Sequence, residues 1–351
     1  MKMKPLVIGD IVARIPIIQG GMGVGVSLSK LAGAVGREGG IGIISTAQIG
    51  FDDPDFNKNQ LKANLSAIRK HIDKARDISN GGVIGVNIMV ATKKYEHYVK
   101  AACEAGADII ISGAGLPIGL PDIVKGFKTK IAPIVSSIKA ASVILKMWDR
   151  KYNRTADLLV VEGPRAGGHL GFHKEDLDNI HDIDFDKEIK GIIEIKKEYE
   201  EKYNQNIPVV VAGGVFDQDD IKHALELGAA GVQMGTRFVA TEECDASPEF
   251  KQAYLEATKE DVQIVISPVG MPGRALINPL MRKVENGKLP IKKCFNCLEH
   301  CNPRVAPYCI TKALIDGVKG NIEEGLIFCG DNVHRLKEIT TVNKLFKELV
   351  F

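Results

Sequence analysis

Short apolar segments recur along the first 240 or so residues, and each ends in glycine, serine or asparagine. The segments are continuous runs without alternating polar positions, which is typical of parallel strands buried on both faces. Helix-like stretches separate them, and the one at 218–227 opens on Asp217, an N-cap residue, and closes at Gly228, a C-cap signal. The eight predicted strands start at Pro16, Ile41, Val83, Asp108, Ile131, Asp157, Ile207 and Gly231.

Eight strand–helix units at fairly even spacing predict an α/β fold, a closed TIM (β/α)8 barrel. A doubly wound sheet is the alternative, but it rarely needs so many evenly spaced strands. We assign residues 1–245 to the barrel. Residues 246–351, where the strand pattern stops, are assigned to a mostly helical extension that contains a cysteine-rich stretch and packs on the barrel. The long connections 46–82 and 163–206 have lengths typical of lids or binding loops.

Charge and composition narrow the class of protein. The chain has 351 residues, 46 of them basic and 44 acidic, for a net charge of +2, so no strong field favours nucleic acid or a membrane. No run approaches the roughly 20 apolar residues of a membrane span, and the N-terminus has no signal-peptide core. We therefore expect a cytoplasmic protein that acts on a small molecule. The 36 glycines exceed the usual frequency of about 7%, and many follow predicted strands.

Glycine motifs at strand ends are the first candidate site, because active sites of such barrels form at the carboxyl ends of the strands. The first strand is followed by Gly20-Gly-Met-Gly-Val-Gly, and the seventh by Gly213-Gly214. The eighth ends in Gln233-Met-Gly-Thr236, where threonine adds a hydroxyl donor. Backbone N–H groups of glycine loops after strands seven and eight predict a phosphate site.

Polar residues at two other strand ends are further candidates. Asn87, inside an apolar run, must find a hydrogen-bond partner, either within the protein or on a ligand. His169 follows two glycines after the sixth strand, where it can act as a base or bind an anion; a loop histidine bonded to a carbonyl is the alternative. Arg165 either attracts an anionic substrate or pairs with Glu162.

The motifs Gly20-Gly-Met-Gly, Val86-Asn-Ile, Ala166-Gly-Gly-His-Leu-Gly, Ala212-Gly-Gly and Gln233-Met-Gly-Thr together resemble the nitronate monooxygenase family, which also includes flavin-dependent enoyl-acyl-carrier-protein reductases. The resemblance implies a TIM barrel that binds FMN non-covalently, with His169 as the active-site histidine. Glu162 stands where many members have glutamine, so the amide contact of that position is in doubt. The positions that the resemblance assigns to the flavin and its phosphate are Gly21, Met22, Gly23, Asn87, Glu162, Gly167, Gly168, Gly213, Gly214, Gln233, Met234, Gly235 and Thr236.

The resemblance further implies oxidation of alkyl nitronates by O2 to a carbonyl compound and nitrite, with His169 binding the anion or acting as base. An NAD(P)H-dependent FMN reductase of an enoyl thioester or quinone is the alternative within the family. Two readings of other classes remain open: a flavin-free barrel acting on a sugar phosphate, and a non-catalytic flavin-binding module. A homodimer is also left open.

Five of the seven cysteines lie beyond residue 293. Cys294, Cys297, Cys301 and Cys309 have the spacing C-x2-C-x3-C-x7-C, which suits zinc or an iron–sulfur cluster. The first three also fall on one face of a helix, where buried free cysteines pack as small hydrophobic residues. The sequence leaves both interpretations open.

Overall fold

The computed structural model describes residues 3–268 and 270–351. Eight parallel strands close into a barrel, and the other strands belong to two small antiparallel sheets. In chain order the strands are β1 (Leu6–Ile8), β2 (Ile11–Ala13), β3 (Ile17–Gln19), β4 (Ile41–Ser45), β5 (Val83–Met89), β6 (Ile109–Gly113), β7 (Lys130–Val135), β8 (Leu159–Glu162), β9 (Gly168–His169), β10 (Val209–Ala212), β11 (Gly231–Met234), β12 (Val262–Ile266) and β13 (Pro272–Leu276).

The barrel follows the order β3-β4-β5-β6-β7-β8-β10-β11 and closes when β11 pairs with β3. Each barrel strand lies within or overlaps one of the eight predicted runs, so the TIM barrel is confirmed and the doubly wound alternative is wrong. The register brings candidate residues side by side at the carboxyl ends. Ala212 pairs with Glu162 on one side and with Gln233 on the other, and Ser45 pairs with Asn87.

Helices surround the barrel where the sequence pattern predicts them. The stretch 218–227 contains a helix with a complete capping box between Asp217 and Asp220, and Gly228 beyond its end has a φ of +101°. The helices are α1 (Ser29–Glu38), α2 (Gln60–Ser79), α3 (Tyr95–Glu104), α4 (Leu120–Ile123), α5 (Ile138–Tyr152), α6 (Lys174–Asp178), α7 (Phe185–Tyr203), α8 (Gln218–Glu226), α9 (Thr236–Val239), α10 (Pro248–Glu256), α11 (Pro279–Glu285), α12 (Ile310–Val318) and α13 (Val342–Leu349).

The hydrophobic core has two layers, as a barrel requires. One lies between strands and helices and includes the fully buried Trp148. The other fills the barrel interior, where Leu6 and Ile8 of the β1–β2 hairpin pack against strand residues such as Ile18 and Ile43. The hairpin therefore extends the interior core at the amino-terminal end of the strands. The carboxyl end of the barrel is the end that remains open to ligands.

The C-terminal extension differs from the expectation of helices and turns alone. β12 and β13 form a hairpin, and β13 also pairs with β9 in the long loop after β8. The sequence of β13, Pro-Gly-Arg-Ala-Leu, has low strand propensity, so its pairing partners and not its own pattern make it a strand. The boundary at residue 245 stays a prediction. Within the described residues, no helix has the length and apolar character that a membrane crossing requires.

Candidate active site

The carboxyl ends of the barrel strands open into a cavity of about 530 Å³, a volume typical of small-molecule sites. The cavity wall contains every residue that the sequence assigns to cofactor binding or catalysis. Those residues are Gly21, Met22, Gly23, Asn87, Glu162, Gly167, Gly168, His169, Gly213, Gly214, Gln233, Met234, Gly235 and Thr236.

Glycines form one side of the cavity, which we call the glycine rim (residues 20–23, 213–214 and 235). A Cβ atom added to Gly21 would lie 2.3 Å from the Cβ of Asn87, so glycine lets the first loop close onto the end of β5. Gly213 and Gly214 have φ angles of +85° and +99°, a conformation that side chains disfavour. The rim therefore presents backbone to the cavity, as close approach of a flat or phosphorylated ligand requires.

Another part of the cavity wall comes from the last quarter of the chain. We call this part the C-terminal cover: the hairpin strands β12 and β13, with residues 326–332. A loop of the cover meets the rim at the predicted phosphate end, where the backbone N–H of Gly330 donates to Oγ1 of Thr236 at 3.2 Å. The side-chain amide of Asn332 donates to the Gly214 carbonyl at 2.7 Å. Because Thr236 accepts the bond from Gly330, its own hydroxyl hydrogen stays available for a ligand.

His169 is held in place by the cover. Its backbone pairs with Gly273 of β13, and its ring lies 5.2 Å from the ring of Phe328, centroid to centroid. Its Nε2 atom is buried and has no hydrogen-bond partner among the described residues. Burial lowers the pKa of His169 to about 4, so the imidazole is neutral at physiological pH. It can therefore hydrogen-bond to a ligand but offers no permanent positive charge.

Arg165 does not pair with Glu162. Its guanidinium donates instead to the Asp331 carboxylate of the cover at 2.8 Å, which corrects one of the two expectations for this arginine. Glu162, at the end of β8, is left without an ion pair among the described residues. Burial raises the pKa of the Glu162 carboxyl to about 7.

Arg274 of β13 anchors the loop that carries His169. The guanidinium is buried and donates to the carbonyl oxygens of Pro164 at 2.8 Å and Ala166 at 2.5 Å. The Asp331 carboxylate lies 3.9 Å from its Nε atom and offsets the buried charge. The contacts join the cover to the backbone just before His169, so they set where the histidine lies.

No sequence motif marks these cover residues. Phe328 and Cys329 of the cover line the cavity, as does Met271 in the turn between β12 and β13, yet none of the three belongs to a motif that signals a site. One signal was present: Leu326-Ile-Phe-Cys-Gly is an apolar run that ends in glycine, like the barrel strands. Ser45 ends β4 and Gln48 follows it, and both lie on the wall and could have been found from their position.

The four clustered cysteines are free thiols. Within residues 3–268 and 270–351, no group of three or more histidine, cysteine, aspartate or glutamate side chains could hold a metal ion. Burial raises the pKa of Cys297 to about 11, and Cys297 lines the cavity next to Leu298. The geometry thus favours packing over metal binding for Cys297, while Cys294 is exposed.

The residues on the wall fit a flavin. Two buried polar atoms, Nε2 of His169 and Oε1 of Gln233, have no partner in the described part of the chain, so they are available to a ligand. The glycine rim leaves room for a flat ring, and Thr236 with the backbone around Gly213 and Gly214 suits a phosphate.

Comparisons with known proteins agree with this geometry. A curated relative from Bacillus subtilis, named probable nitronate monooxygenase, is 25% identical and is matched over 95% of this chain and 94% of its own length. A hydroxy-methyl-oxo-octahydroindene-carboxyl-CoA dehydrogenase of Mycobacterium tuberculosis is 28% identical over 78% of this chain and 66% of its own length.

Solved structures are similar as well. FabK from Thermotoga maritima superposes with a TM-score of 0.71 at 27% identity, covering 95% of this chain and 91% of that one. A nitroalkane oxidase from Streptomyces ansochromogenes, at 19% identity and a TM-score of 0.71, covers 95% and 94% and shows the same fold. The family model described as nitronate monooxygenase matches residues 4–351. Because that match spans almost the whole chain and the fold is a TIM barrel, the chain belongs to the nitronate monooxygenase family of flavin-dependent oxidoreductases.

Proposed function

We propose that the protein binds FMN and oxidises alkyl nitronates with O2 to a carbonyl compound and nitrite. The observation that carries the proposal is the position of His169, on the cavity wall together with the glycine rim and with its Nε2 atom unpartnered. A hydrogen-bonding group beside the flavin position is what an oxygen-rich substrate such as a nitronate requires.

The state of His169 selects between its two candidate roles. An imidazole whose pKa is lowered to about 4 is a weak base, poorly matched to removing a proton from a nitroalkane carbon. The neutral ring can still donate a hydrogen bond to a nitronate oxygen. We therefore assign His169 to binding a nitronate that is already ionised, while bound flavin supplies the redox chemistry.

The assignment of FMN rests on the ends of β10 and β11. Gly213, Gly214 and Thr236 lie on the cavity wall together with Gln233, and their backbone N–H groups and hydroxyl suit one phosphate group. A single terminal phosphate next to a flat-ring site matches FMN. The phosphate would be held by backbone N–H groups and the Thr236 hydroxyl.

The deciding experiment measures turnover of the purified protein after loading with FMN. With propyl nitronate we expect oxygen uptake together with nitrite release, and the neutral nitroalkane should react more slowly because His169 is a weak base. A protein that stays colourless after incubation with FMN would contradict the cofactor assignment. A yellow protein that consumes no oxygen with propyl nitronate would contradict the activity alone.

A second function is supported by the apolar part of the cavity. Met271, Leu298, Ile310, Leu314 and Leu326 line it, and they suit a hydrocarbon chain more than a small anion. The carboxyl-CoA dehydrogenase named among the relatives points to thioester substrates in related proteins. The alternative is an NAD(P)H-dependent reductase of an enoyl thioester or quinone. Rapid anaerobic NAD(P)H oxidation with such an acceptor, without nitrite release from nitronates, would transfer the assignment to it.

A further inference from the structure

Glu162 is a second titratable side chain on the cavity wall that also carries His169. It is the last residue of β8, it pairs in register with Ala212, and it lies on the cavity wall between the His169 loop and the rim. Because it belongs to a strand, its backbone is fixed more firmly than that of a loop residue.

The Glu162 carboxyl has no hydrogen bond and no ion pair with any of the residues that the structure describes. The guanidinium of Arg165, three positions further along the chain, is paired with the Asp331 carboxylate. The neighbouring strand β10 carries no charged residue, and β7 has its single charge, Lys130, at the opposite end of the barrel. Burial alone therefore determines the carboxyl's preference, and it favours the protonated form.

The other titratable groups around the cavity do not compete with Glu162 for binding a proton. Arg165 and Asp331 form an ion pair, and Arg274 beneath them is bonded to carbonyl oxygens. His169 has a lowered pKa and is neutral, and burial raises the pKa of Tyr254. The titratable side chains on the cavity wall other than Glu162 are Arg165, His169, Tyr254, Cys297, Cys329 and Asp331.

We propose that the Glu162 carboxyl is the proton-holding group of the cavity, which keeps a proton while the bound flavin carries added negative charge and releases it when that charge leaves. The inference rests on the proposed flavin cofactor. When two electrons are delivered to the cavity by a nitronate or a chemical reductant, one proton moves from solvent to a Glu162 carboxylate oxygen. The proton returns to solvent when an oxidant such as O2 removes the electrons.

The physical reason is electrostatic. Negative charge in the same cavity disfavours a second negative charge on an unpaired carboxylate of its wall. At a pH where Glu162 is ionised beside neutral flavin, reduction therefore draws a proton onto it. A glutamine at this position has the same shape and cannot take up the proton, so a chain with glutamine lacks the coupling.

The test is the flavin midpoint potential as a function of pH in the FMN-loaded wild type and in Glu162→Gln. One additional proton per two electrons steepens the decline of the potential by about 30 mV per pH unit. We expect the two curves to run parallel in acid and to diverge above about pH 7, with the wild type falling more steeply. In parallel, infrared spectra should show a protonated-carboxyl band in the wild type that Glu162→Gln lacks.

Matched variants locate the proton. Glu194→Gln removes an exposed carboxylate of α7 and should reproduce the wild-type curve, and His169→Asn should retain the steeper slope. Curves of wild type and Glu162→Gln that stay parallel at every pH would overturn the inference alone, as would loss of the slope in His169→Asn. Failure of the wild type to take up flavin would overturn the proposed function, and this inference with it.

Discussion

The two sides of the cavity are built in opposite ways. The glycine rim consists of residues that follow barrel strands, and it presents backbone. A Cβ at Gly21 or Gly23 would collide, and Gly213 and Gly214 have a φ that side chains disfavour. The C-terminal cover contributes side chains, such as Arg274 and Phe328, that reach across to the His169 loop. The cover and the barrel are joined by β9–β13 pairing.

The difference indicates a division of labour. In the proposed function the rim is the surface that binds the cofactor, which needs close backbone approach and few specific side chains. The cover positions His169, the proposed substrate-binding group, by packing and by buried hydrogen bonds. Changes to the rim should therefore act on cofactor binding, and changes to the cover should act on the histidine and on stability.

His169 itself gives the largest expected effect. Replacing it by asparagine removes the ring that the cover orients while leaving the rim intact. Turnover of propyl nitronate should fall on the order of 10²- to 10³-fold, with FMN still bound, because the hydrogen bond to the nitronate oxygen is lost. Steady-state kinetics and flavin absorbance measure both quantities. His173→Asn, an exposed neighbour in the same loop, is the control and should stay near wild type. Loss of flavin in His169→Asn would show that the two sides are not separate.

Arg274→Met tests the cover directly. Its loss leaves the carbonyl oxygens of Pro164 and Ala166 without their buried donor, so the free energy of unfolding should fall by about 3–5 kcal/mol. Urea titration measures the change. Arg335→Met removes an exposed arginine–carboxylate pair and should cost about 0–1 kcal/mol. Equal losses in both variants would contradict the anchoring role of Arg274.

The raised pKa of Glu162 predicts that the free energy of unfolding depends on pH. The folded state holds the Glu162 proton more tightly than the unfolded chain, since the pKa is raised from 4.5 to about 7. The resulting stabilisation is fully present below about pH 4.5 and is lost as the pH rises through about 7, up to about 3 kcal/mol in all. His169 acts in the opposite direction, because its lowered pKa destabilises the fold in acid.

The difference between wild type and Glu162→Gln isolates the glutamate's part of this dependence. Unfolding free energies of the flavin-free proteins, measured at about pH 5 and about pH 8, should converge in acid and diverge in base, with the variant more stable above neutrality. A pH-independent difference between them would contradict a raised pKa for Glu162.

Gly167→Ala tests the contact between the His169 loop and the cover. An added Cβ would lie 2.5 Å from the carbonyl carbon of Cys329, and backbone cannot move aside as a flexible side chain can. We expect a loss of about 1–3 kcal/mol in the free energy of unfolding and weaker flavin retention. Gly119→Ala, where nothing lies within 4 Å, is the matched control and should change stability little. Full stability of Gly167→Ala would show that the cover is loosely seated.

The cysteines give the smallest expected effect. Cys294 is exposed, so Cys294→Ser should change the free energy of unfolding by less than about 0.5 kcal/mol. Elemental analysis of anaerobically purified protein should find zinc and iron far below one atom per chain. A stoichiometric metal that Cys294→Ser removes would contradict the packing interpretation and restore the metal hypothesis.

The barrel and much of the cavity wall could be predicted because their signals are local. Each parallel strand is a continuous apolar run, and in a barrel all carboxyl ends face one side, so the residue after each run is placed without further knowledge. Asp217 and Gly228 likewise mark a helix by chemistry within one turn. The same logic placed Gly213, Gly214 and His169 on one wall.

The cover could not be predicted, because its contacts join distant parts of the chain. Arg274 lies 108 positions from the Ala166 carbonyl that it binds, and β13 becomes a strand only by pairing. The partner of Arg165 could not be predicted either. Glu162 is close to Arg165 in sequence, but the actual partner, Asp331, lies 166 positions away. Sequence order does not reveal pairs of residues that are so far apart.

By itself, then, the sequence determined a TIM barrel with a glycine-lined mouth, a histidine and a carboxyl group at that mouth, and the family to which these motifs belong. Apolar runs and glycine motifs carry that information because strand burial and backbone approach depend on each residue's own chemistry. The tertiary structure decided which groups are charged, which are paired and what orients His169. Those properties depend on burial and on partners more than a hundred positions apart, so they exist only once the chain has folded.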